Sequence, residues 1–383
     1  MATGKTPVTE AEQEQYNRHA MEMAYKVDKY RKEQMKKRIA KAGGMKNINP
    51  RDLFPEYNKF GYGVAMETSR VGENYVSEEL QQKADKLGFR FEHLATTIGT
   101  VVHGIDLKKK LTTEIVEFLE KTLSERKVIF FRNQHLSADE HVAFGKRFGM
   151  LDAFPFGRPS ENPYALTIVH NEKSPGQENG FHTDVTWMER PSLGSIAQML
   201  EVPPKGGDTL FADSHAAYLG LPLKTQQVLK HVEGINDYRQ FIGTVSEELQ
   251  HEYKKRFPFG VSHPLLRTHP VNGKTALYLN GGFLNHDSLY DIRTGKKLDV
   301  EKSEKIVNFL MQQHIHPEYH CRFDWHEGDI AFWDNRACQH CAASDYYPHR
   351  RVLRRVTVCG DKPFYDPSQD HMDPNNVAEG SKL

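Results

Sequence analysis

Two histidines and one carboxylate in this sequence have the residue types and the spacing to bind a metal ion. His182 and Asp184 are separated by a single residue, and His340 lies far along the chain in a second polar motif. In an extended strand, residues two apart project to the same side. The first pair can therefore face one point, and His340 would complete a set of two histidines and one carboxylate that suits Fe(II). His-x-Asp alone is also common in turns, so this pattern needs support from elsewhere in the chain.

Two arginines supply that support. The stretch 350–359 is rich in β-branched residues and predicts a strand. Arg351 and Arg355 are four apart and share one face of it, whereas Arg350 and Arg354 are out of register with them and are expected in solvent. Buried guanidiniums require anionic partners, and carboxylates, phosphates and sulfonates match their planar donors. The alternative is an exposed basic edge strand, which protects a sheet from aggregation.

Short motifs in a fixed order give the chain a family resemblance. Over about Phe91 to Tyr365 it resembles the taurine dioxygenase (TauD/TfdA) family of Fe(II)- and 2-oxoglutarate (α-ketoglutarate)-dependent dioxygenases. The spacing of the motifs is as telling as their content. In chain order they are Lys127 to Gln134, His182 to Thr186, Gly206 to Phe211, Trp333 to Arg336, Gln339-His340 and Gly360 to Tyr365.

The resemblance implies a set of cofactors and the residues that bind them. Fe(II) would be held by His182, Asp184 and His340, with 2-oxoglutarate chelating at two open positions and dioxygen taking the third. Arg351 and Thr209 are implied to hold the distal carboxylate of 2-oxoglutarate. Oxidative decarboxylation would then release succinate and CO2 and drive removal of hydrogen from a substrate C–H bond.

The resemblance also implies a pocket for a small organic anion. Arg355 matches the family's sulfonate-binding arginine, and an anion held there would place a carbon close to the metal. Phe154 and Gly157 stand where the taurine enzyme has a histidine and a tyrosine, so taurine itself is in doubt. A larger and more apolar sulfonate, a carboxylate or an amino-acid derivative fits the sequence better. The other residues implied to contact substrate are Glu178, Val185, Trp187 and Phe283.

Two alternative functions stay open at this point. The first keeps the same cofactors but oxidises a carboxylate, an aryloxyacetate, a purine or an amino-acid derivative. Arg355 favours an anion over a neutral purine. The second is a non-catalytic jelly-roll binding module, which the presence of His182, Asp184, His340 and Arg351 argues against.

Short hydrophobic runs predict the elements that must position these residues. Many short strands with a few flanking helices indicate a mainly β, α+β protein with a sandwich or barrel core. The resemblance implies that this core is a double-stranded β-helix, or jelly roll, with the metal at its mouth. Ser137 and Glu140 predict a capping box at a helix start, and Asn272-Gly273 predicts a hairpin turn.

The chain is expected to have three parts: a helical extension at 1–88, the dioxygenase domain at 89–366 and a flexible tail at 367–383. Residues 9–42 contain neither Pro nor Gly and predict a helix. Residues 47–74, with several Pro and Gly, predict a wrapping loop. The helix is expected to pack on the core or on a partner subunit, which favours a dimeric or tetrameric homo-oligomer.

Composition excludes several other classes of protein. The 383 residues include 51 Lys and Arg against 51 Asp and Glu, so no bulk charge points to nucleic acid or a membrane surface. No apolar run approaches a membrane span, and the N-terminus lacks a signal peptide's apolar core. Four clustered cysteines indicate a reducing compartment. The expected location is the cytoplasm, or in a eukaryote the peroxisome, addressed by the terminal Ser381-Lys382-Leu383.

Overall fold

The computed structural model describes most of the chain, in two compact units. One unit comprises residues 1–55 and 378–383, and the other spans 56–377. The first contains one long helix, which confirms the helix predicted at 9–42. The described residues are 10–41, 43–44, 59–156, 162–176, 180–243 and 245–370. Glu178, Gly157 and the terminal Ser381-Lys382-Leu383 lie outside them.

The described residues form both helices and strands. The helices are α1 (Glu10–Lys41), α2 (Lys59–Val71), α3 (Glu78–Leu87), α4 (Thr113–Arg126), α5 (Ala138–Gly145), α6 (Ser214–Gly220), α7 (Leu223–Leu229), α8 (Arg239–Ile242), α9 (Glu247–Arg256) and α10 (Val300–Met311). The strands are β1 (Arg90–His93), β2 (Thr100–His103), β3 (Val128–Phe131), β4 (Leu151–Asp152), β5 (Leu166–His170), β6 (Gly194–Glu201), β7 (Thr209–Asp213), β8 (Val232–Asn236), β9 (Val261–Pro264), β10 (Leu266–Thr268), β11 (Thr275–Leu277), β12 (Tyr290–Asp291), β13 (Lys296–Lys297), β14 (His320–Phe323), β15 (Ile330–Asp334), β16 (Cys338–Ala342) and β17 (Arg351–Val358).

A large sheet forms the central layer. Its strands run in the order β1-β2-β3-β15-β6-β17-β4, and β5 also pairs with β17. Strand β3 is buried at all four positions because both faces of the sheet are covered. Ile129 and Phe131 face a cluster that includes side chains of α3, α4 and α5, whereas Val128 and Phe130 face the other way. This two-residue alternation is the geometry of a pleated strand.

A three-stranded sheet, in the order β14-β7-β16, covers the second face. Phe130 of the large sheet stacks on Phe323 of the small one, with ring centroids 4.0 Å apart, and meets the Phe211 ring edge-on at 5.5 Å. The mainly β architecture with flanking helices is therefore confirmed. The two packed sheets are compatible with a double-stranded β-helix, which stays a prediction.

Two local predictions from turn and cap chemistry are confirmed. Ser137 accepts the Glu140 amide N–H at 3.2 Å, and the Glu140 carboxylate accepts the Ser137 N–H at 2.7 Å, which completes the capping box. Strands β10 and β11 pair across Asn272-Gly273 as an antiparallel hairpin.

The loop predicted over 47–74 is wrong in its described part, because Lys59–Val71 forms α2. One glycine of this stretch, Gly63, serves close packing instead. A Cβ built on Gly63 would lie 2.1 Å from the carbonyl oxygen of Ala216 in α6, so only glycine permits this approach of the two helices.

Helix α2 also places a carboxylate in a buried charge cluster. Glu67 accepts hydrogen bonds from Lys127 at 2.9 Å and from Lys274 at 2.6 Å, and its second oxygen lies 3.0 Å from His215 Nε2. Lys127 also lies 3.1 Å from Asp213. Part of the predicted 1–88 extension therefore contributes a charge to the interior of the larger unit. The boundary at residue 88 stays a prediction.

Two features bear on the predicted compartment. The sequence pattern predicts no disulfide framework, and all four cysteines are free thiols. Within the described ranges, no helix is both long and apolar enough to span a bilayer.

Candidate metal and anion site

The three predicted metal ligands come together at one point. Donor atoms of His182, Asp184 and His340 lie within 4.8 Å of one another, close enough for a single ion to be shared. The two imidazole centroids are 4.2 Å apart. Oδ1 of Asp184 is 4.0 Å from Nε2 of His340. Asp184 and His340 are buried, and His182 is half-buried.

Backbone pairing aligns the two histidines. The His182 N–H donates to the His340 carbonyl at 3.0 Å, and the His340 N–H donates back at 2.8 Å, so that His182 adds a bridge beside β16. The extended strand predicted through Asp184 is wrong, because residues 184–187 form a turn with Val185 at a φ of 49°. The imidazole and the carboxylate still converge, since the turn begins only after Thr183.

The orientation of His182 and the charge states of His340 and Asp184 fit a divalent metal ion. His182 Nδ1 lies 2.8 Å from the Gly180 carbonyl, which only accepts, so Nδ1 donates to it and Nε2 is the ring nitrogen left to bind a metal. Burial lowers the pKa of His340 to about 3, which keeps that imidazole neutral. Burial alone would raise the pKa of Asp184, but the charge of Arg355 leads a set of interactions that hold it below its usual range. Two imidazoles and one carboxylate are a donor set that suits Fe(II).

Asn335 links the two motifs that carry these ligands. Its side-chain oxygen accepts from the Asp184 amide N–H at 3.3 Å and from Trp333 Nε1 at 3.0 Å. Its amide group donates to Ser192 at 2.8 Å and to Asp184 Oδ2 at 3.3 Å. Ser195 donates to the same Oδ2 at 2.9 Å. Oδ2 is therefore engaged by the protein, which leaves Oδ1 directed toward the histidines.

Arg351 is buried on the site side of β17 and is not turned toward solvent. Its Nε donates to the Gly207 carbonyl at 3.1 Å. Gly207 has a φ of 76°, and a Cβ there would lie 3.1 Å from Arg351 Cδ, so a glycine turn is required for this contact. Two residues on, the buried hydroxyl of Thr209 accepts from Trp325 Nε1 at 3.0 Å, and among the described residues its own proton remains for donation.

Arg355 lies on the same face as Arg351. Its Nη1 is 3.2 Å from Asp184 Oδ1, and its guanidinium carbon is 5.8 Å from the Phe154 ring centroid. The solvent exposure predicted for Arg354 is wrong, because the opposite face of β17 is also covered. Arg354 donates to Gln198 Oε1 at 3.1 Å, whereas Arg350 is exposed and pairs with Glu201 as a surface residue.

An aromatic cluster continues from Phe154. Four of the predicted pocket residues belong to it, namely Phe154, Val185, Trp187 and Phe283. Phe241 of α8 connects them, with ring centroids 5.7 Å from Phe154 and 5.4 Å from Phe283. Trp187 is almost fully buried, so it packs on the interior side of the cluster.

Sequence reasoning missed Phe241, Ser195 and the bridging role of Asn335. Asn335 lies inside a motif that was recognised, but its partners Ser192 and Asp184 could not be read from spacing. The aromatic residues of 238–257 gave a usable signal, since Tyr238, Phe241, Tyr253 and Phe257 recur through that segment. The contact of Tyr238, Phe241 and Tyr253 with Phe156 becomes visible only in the fold.

The chain is similar to known proteins of one family. The family described as taurine catabolism dioxygenase TauD, TfdA family matches residues 90–357. A sulfate ester dioxygenase dependent on α-ketoglutarate, from Pseudomonas putida, is 32% identical over 280 residues, which is 70% of this chain and 89% of the relative. An alkylsulfatase from Acinetobacter baylyi is 30% identical over 279 residues, 70% of this chain and 84% of the relative.

A solved structure shows the same likeness in three dimensions. The crystal structure of a taurine dioxygenase from Burkholderia xenovorans has a TM-score of 0.60 and 30% sequence identity to this chain. The match covers 72% of this chain and 90% of the solved one. The matched part of the family, residues 90–357, contains the three converging ligands and both site-facing arginines.

Proposed function

The chain belongs to the TauD/TfdA family and is an α-ketoglutarate-dependent dioxygenase of the TauD type, and we propose that it oxidises a C–H bond of a small organic anion such as a sulfonate. Fe(II) would be the bound cofactor, 2-oxoglutarate and dioxygen would be consumed as co-substrates, and succinate and CO2 would be released. The observation that carries the proposal is the Asp184 carboxylate, which faces two imidazoles and a guanidinium at once.

His182, Asp184 and His340 are the residues that would hold the iron. When bound, Fe(II) together with 2-oxoglutarate supplies the dioxygen activation that protein side chains lack. The protein's part is orientation. Asn335 and Ser195 donate hydrogen bonds to Oδ2 of Asp184, so that Oδ1 would bind the metal.

Arg351 and Thr209 would bind the distal carboxylate of 2-oxoglutarate. The guanidinium of Arg351 is buried and oriented by the Gly207 carbonyl, which favours a charged partner over water. The Thr209 hydroxyl, whose acceptor position is used by Trp325, would donate the second hydrogen bond. Together they would fix the orientation of the keto acid.

Arg355 would bind the anionic group of the primary substrate. Its position beside Asp184 would hold that group near the metal, as orientation of a C–H bond requires. The aromatic cluster beside Phe154 supports an apolar tail on the substrate, so we infer an alkyl or aryl sulfonate or sulfate ester in preference to taurine. The second candidate is an aryloxyacetate, since its carboxylate matches Arg355 and its ring matches the cluster.

An anaerobic titration tests the proposal. Fe(II) and 2-oxoglutarate added to the wild type should produce a weak visible charge-transfer band, which His182→Ala should lack. His251→Ala, at an exposed position of α9, is the matched control and should keep the band. A folded wild type without the band would overturn the proposed chemistry. Succinate release across sulfonates, sulfate esters, aryloxyacetates and amino acids would then identify the substrate class.

We further infer a homo-oligomer, dimer or tetramer, from the long helix α1 that precedes the family region. Light scattering coupled to size-exclusion chromatography measures this directly. A monomer at micromolar concentration would contradict it.

A further inference from the structure

Arg355 contacts the Asp184 oxygen that faces the metal ligands, and not the opposite one. Its Nη1 lies 3.2 Å from Oδ1, the atom that is 4.0 Å from His340 Nε2. Oδ2 is already engaged by Ser195 and Asn335. A metal ion and Arg355 would therefore use the same carboxylate oxygen.

Two cations on one oxygen oppose each other in this environment. The side chains of Arg355 and Asp184 are only 14% and 8% exposed, so water screens their charges weakly. A divalent ion bound to Oδ1 would repel the guanidinium and withdraw the negative charge that stabilises it. Metal binding must therefore weaken the ion pair between Arg355 and Asp184.

Arg355 has donor capacity left for another anion. Its Nε is buried and has no hydrogen-bond partner in the part of the chain that the structure describes. The guanidinium borders Phe154 and thus the aromatic cluster. Asp152 is a weaker competitor for it, since burial raises the pKa of that carboxyl despite the charge of Arg355.

We propose that Arg355 couples the metal site to the substrate-anion site. In the metal-free protein it neutralises Asp184, and metal binding releases it to pair with the substrate's anionic group. Because such coupling is reciprocal, the anion must raise the affinity for the metal by the same factor. The inference rests on the proposed function, because it takes His182, Asp184 and His340 as metal ligands. Arg355 is in this respect a positioning residue whose effect appears in binding before any turnover.

The test measures Mn(II) binding by electron paramagnetic resonance of the free ion, without 2-oxoglutarate. The anion probe is 1-hexanesulfonate. We expect the probe to raise the Mn(II) affinity of the wild type by about tenfold, within the usual range of coupling between sites. Arg355→Gln should bind Mn(II) more tightly than the wild type without the probe and should not respond to it. Arg350→Gln removes an exposed charge from the same strand and should behave as the wild type.

Other outcomes overturn the coupling. They are a wild type that does not respond to 1-hexanesulfonate, an Arg355→Gln variant that responds equally, and one that binds Mn(II) more weakly. His182→Ala separates this failure from that of the proposed function. If that variant binds Mn(II) as tightly as the wild type, the metal centre itself is wrong, and the proposed function fails with it.

Discussion

Asn335 donates a hydrogen bond from Nδ2 to Oδ2 of Asp184 and accepts one from the Asp184 amide N–H on its own side-chain oxygen. Both hydrogen bonds are 3.3 Å long. One amide thereby fixes both the backbone and the carboxylate of a ligand. We predict that Asn335→Ala lowers Mn(II) affinity by roughly 10- to 100-fold, as expected for residues that orient metal ligands. Calorimetric titration measures this. Asn308→Ala, at an exposed site of α10, is the control, and equal affinities of the two variants would refute the role.

Arg351→Gln should weaken 2-oxoglutarate binding while leaving metal affinity in place. Charge-assisted hydrogen bonds to a carboxylate would be lost, so we expect an increase in KM for 2-oxoglutarate of roughly 100-fold. Titration of the anaerobic charge-transfer band with 2-oxoglutarate gives the affinity. Arg350→Gln is the matched control on the same strand. An unchanged midpoint for Arg351→Gln would assign the distal carboxylate to another residue.

Phe241→Ala tests the aromatic cluster as the site of an apolar substrate tail. The Phe241 ring centroid is 4.9 Å from that of Phe156 and 5.7 Å from that of Phe154. Loss of this surface should raise KM for a long alkyl sulfate by about tenfold but change little for a short one. Phe364→Ala, at an exposed ring, should change neither. A uniform change across chain lengths would argue that Phe241 supports the fold and not the substrate.

The free energy of unfolding should decrease as the pH falls below neutrality. Burial lowers the pKa of His141 and of His314 to about 3, whereas histidine in the unfolded chain titrates near 6.5. The unfolded chain therefore takes up protons first, and stability is lost between about pH 6.5 and 3. At about pH 5 each of these histidines should cost about 2 kcal/mol. Urea denaturation of His314→Leu should show a shallower dependence on pH, whereas His251→Leu should keep the slope of the wild type.

Glu67→Gln should destabilise the larger unit, because Lys127 and Lys274 would lose part of their buried counter-charge. Breaking a buried ion pair costs about 3–5 kcal/mol. Glu79→Gln removes a surface pair with Lys121, which solvent screens, and should change the urea midpoint far less. Urea midpoints of the two variants provide the comparison. Equal midpoints would mean that the buried charge of Glu67 does not stabilise the larger unit.

The convergence of His182, Asp184 and His340 could be predicted from the sequence because these residue types are rare in combination and their motifs keep a family order. It also predicted local features, such as the capping box at Ser137, whose partners lie within one turn. The ligand geometry was reached partly for the wrong reason, since Asp184 lies in a turn and not in a strand. Backbone pairing with His340, which aligns the site, depends on a strand from elsewhere in the chain.

The predictions that were wrong or missing all depend on packing between residues remote in sequence. Arg354 was expected in solvent because alternation along a strand says which residues share a face, but not what covers that face. Gly63 suggested a loop because its packing partner, Ala216, is remote in sequence. Phe241 joins the predicted pocket residues only through the fold of 238–257.

The paired backbones of His182 and His340 have a consequence for biosynthesis. The two residues come from opposite halves of the chain, so a growing polypeptide on the ribosome contains His182 and Asp184 long before His340 is made. Contacts of such sequence separation close late. The proposed metal site would thus await the near-complete chain, and a product that stops before β16 would lack one of its three candidate ligands however well its local elements fold.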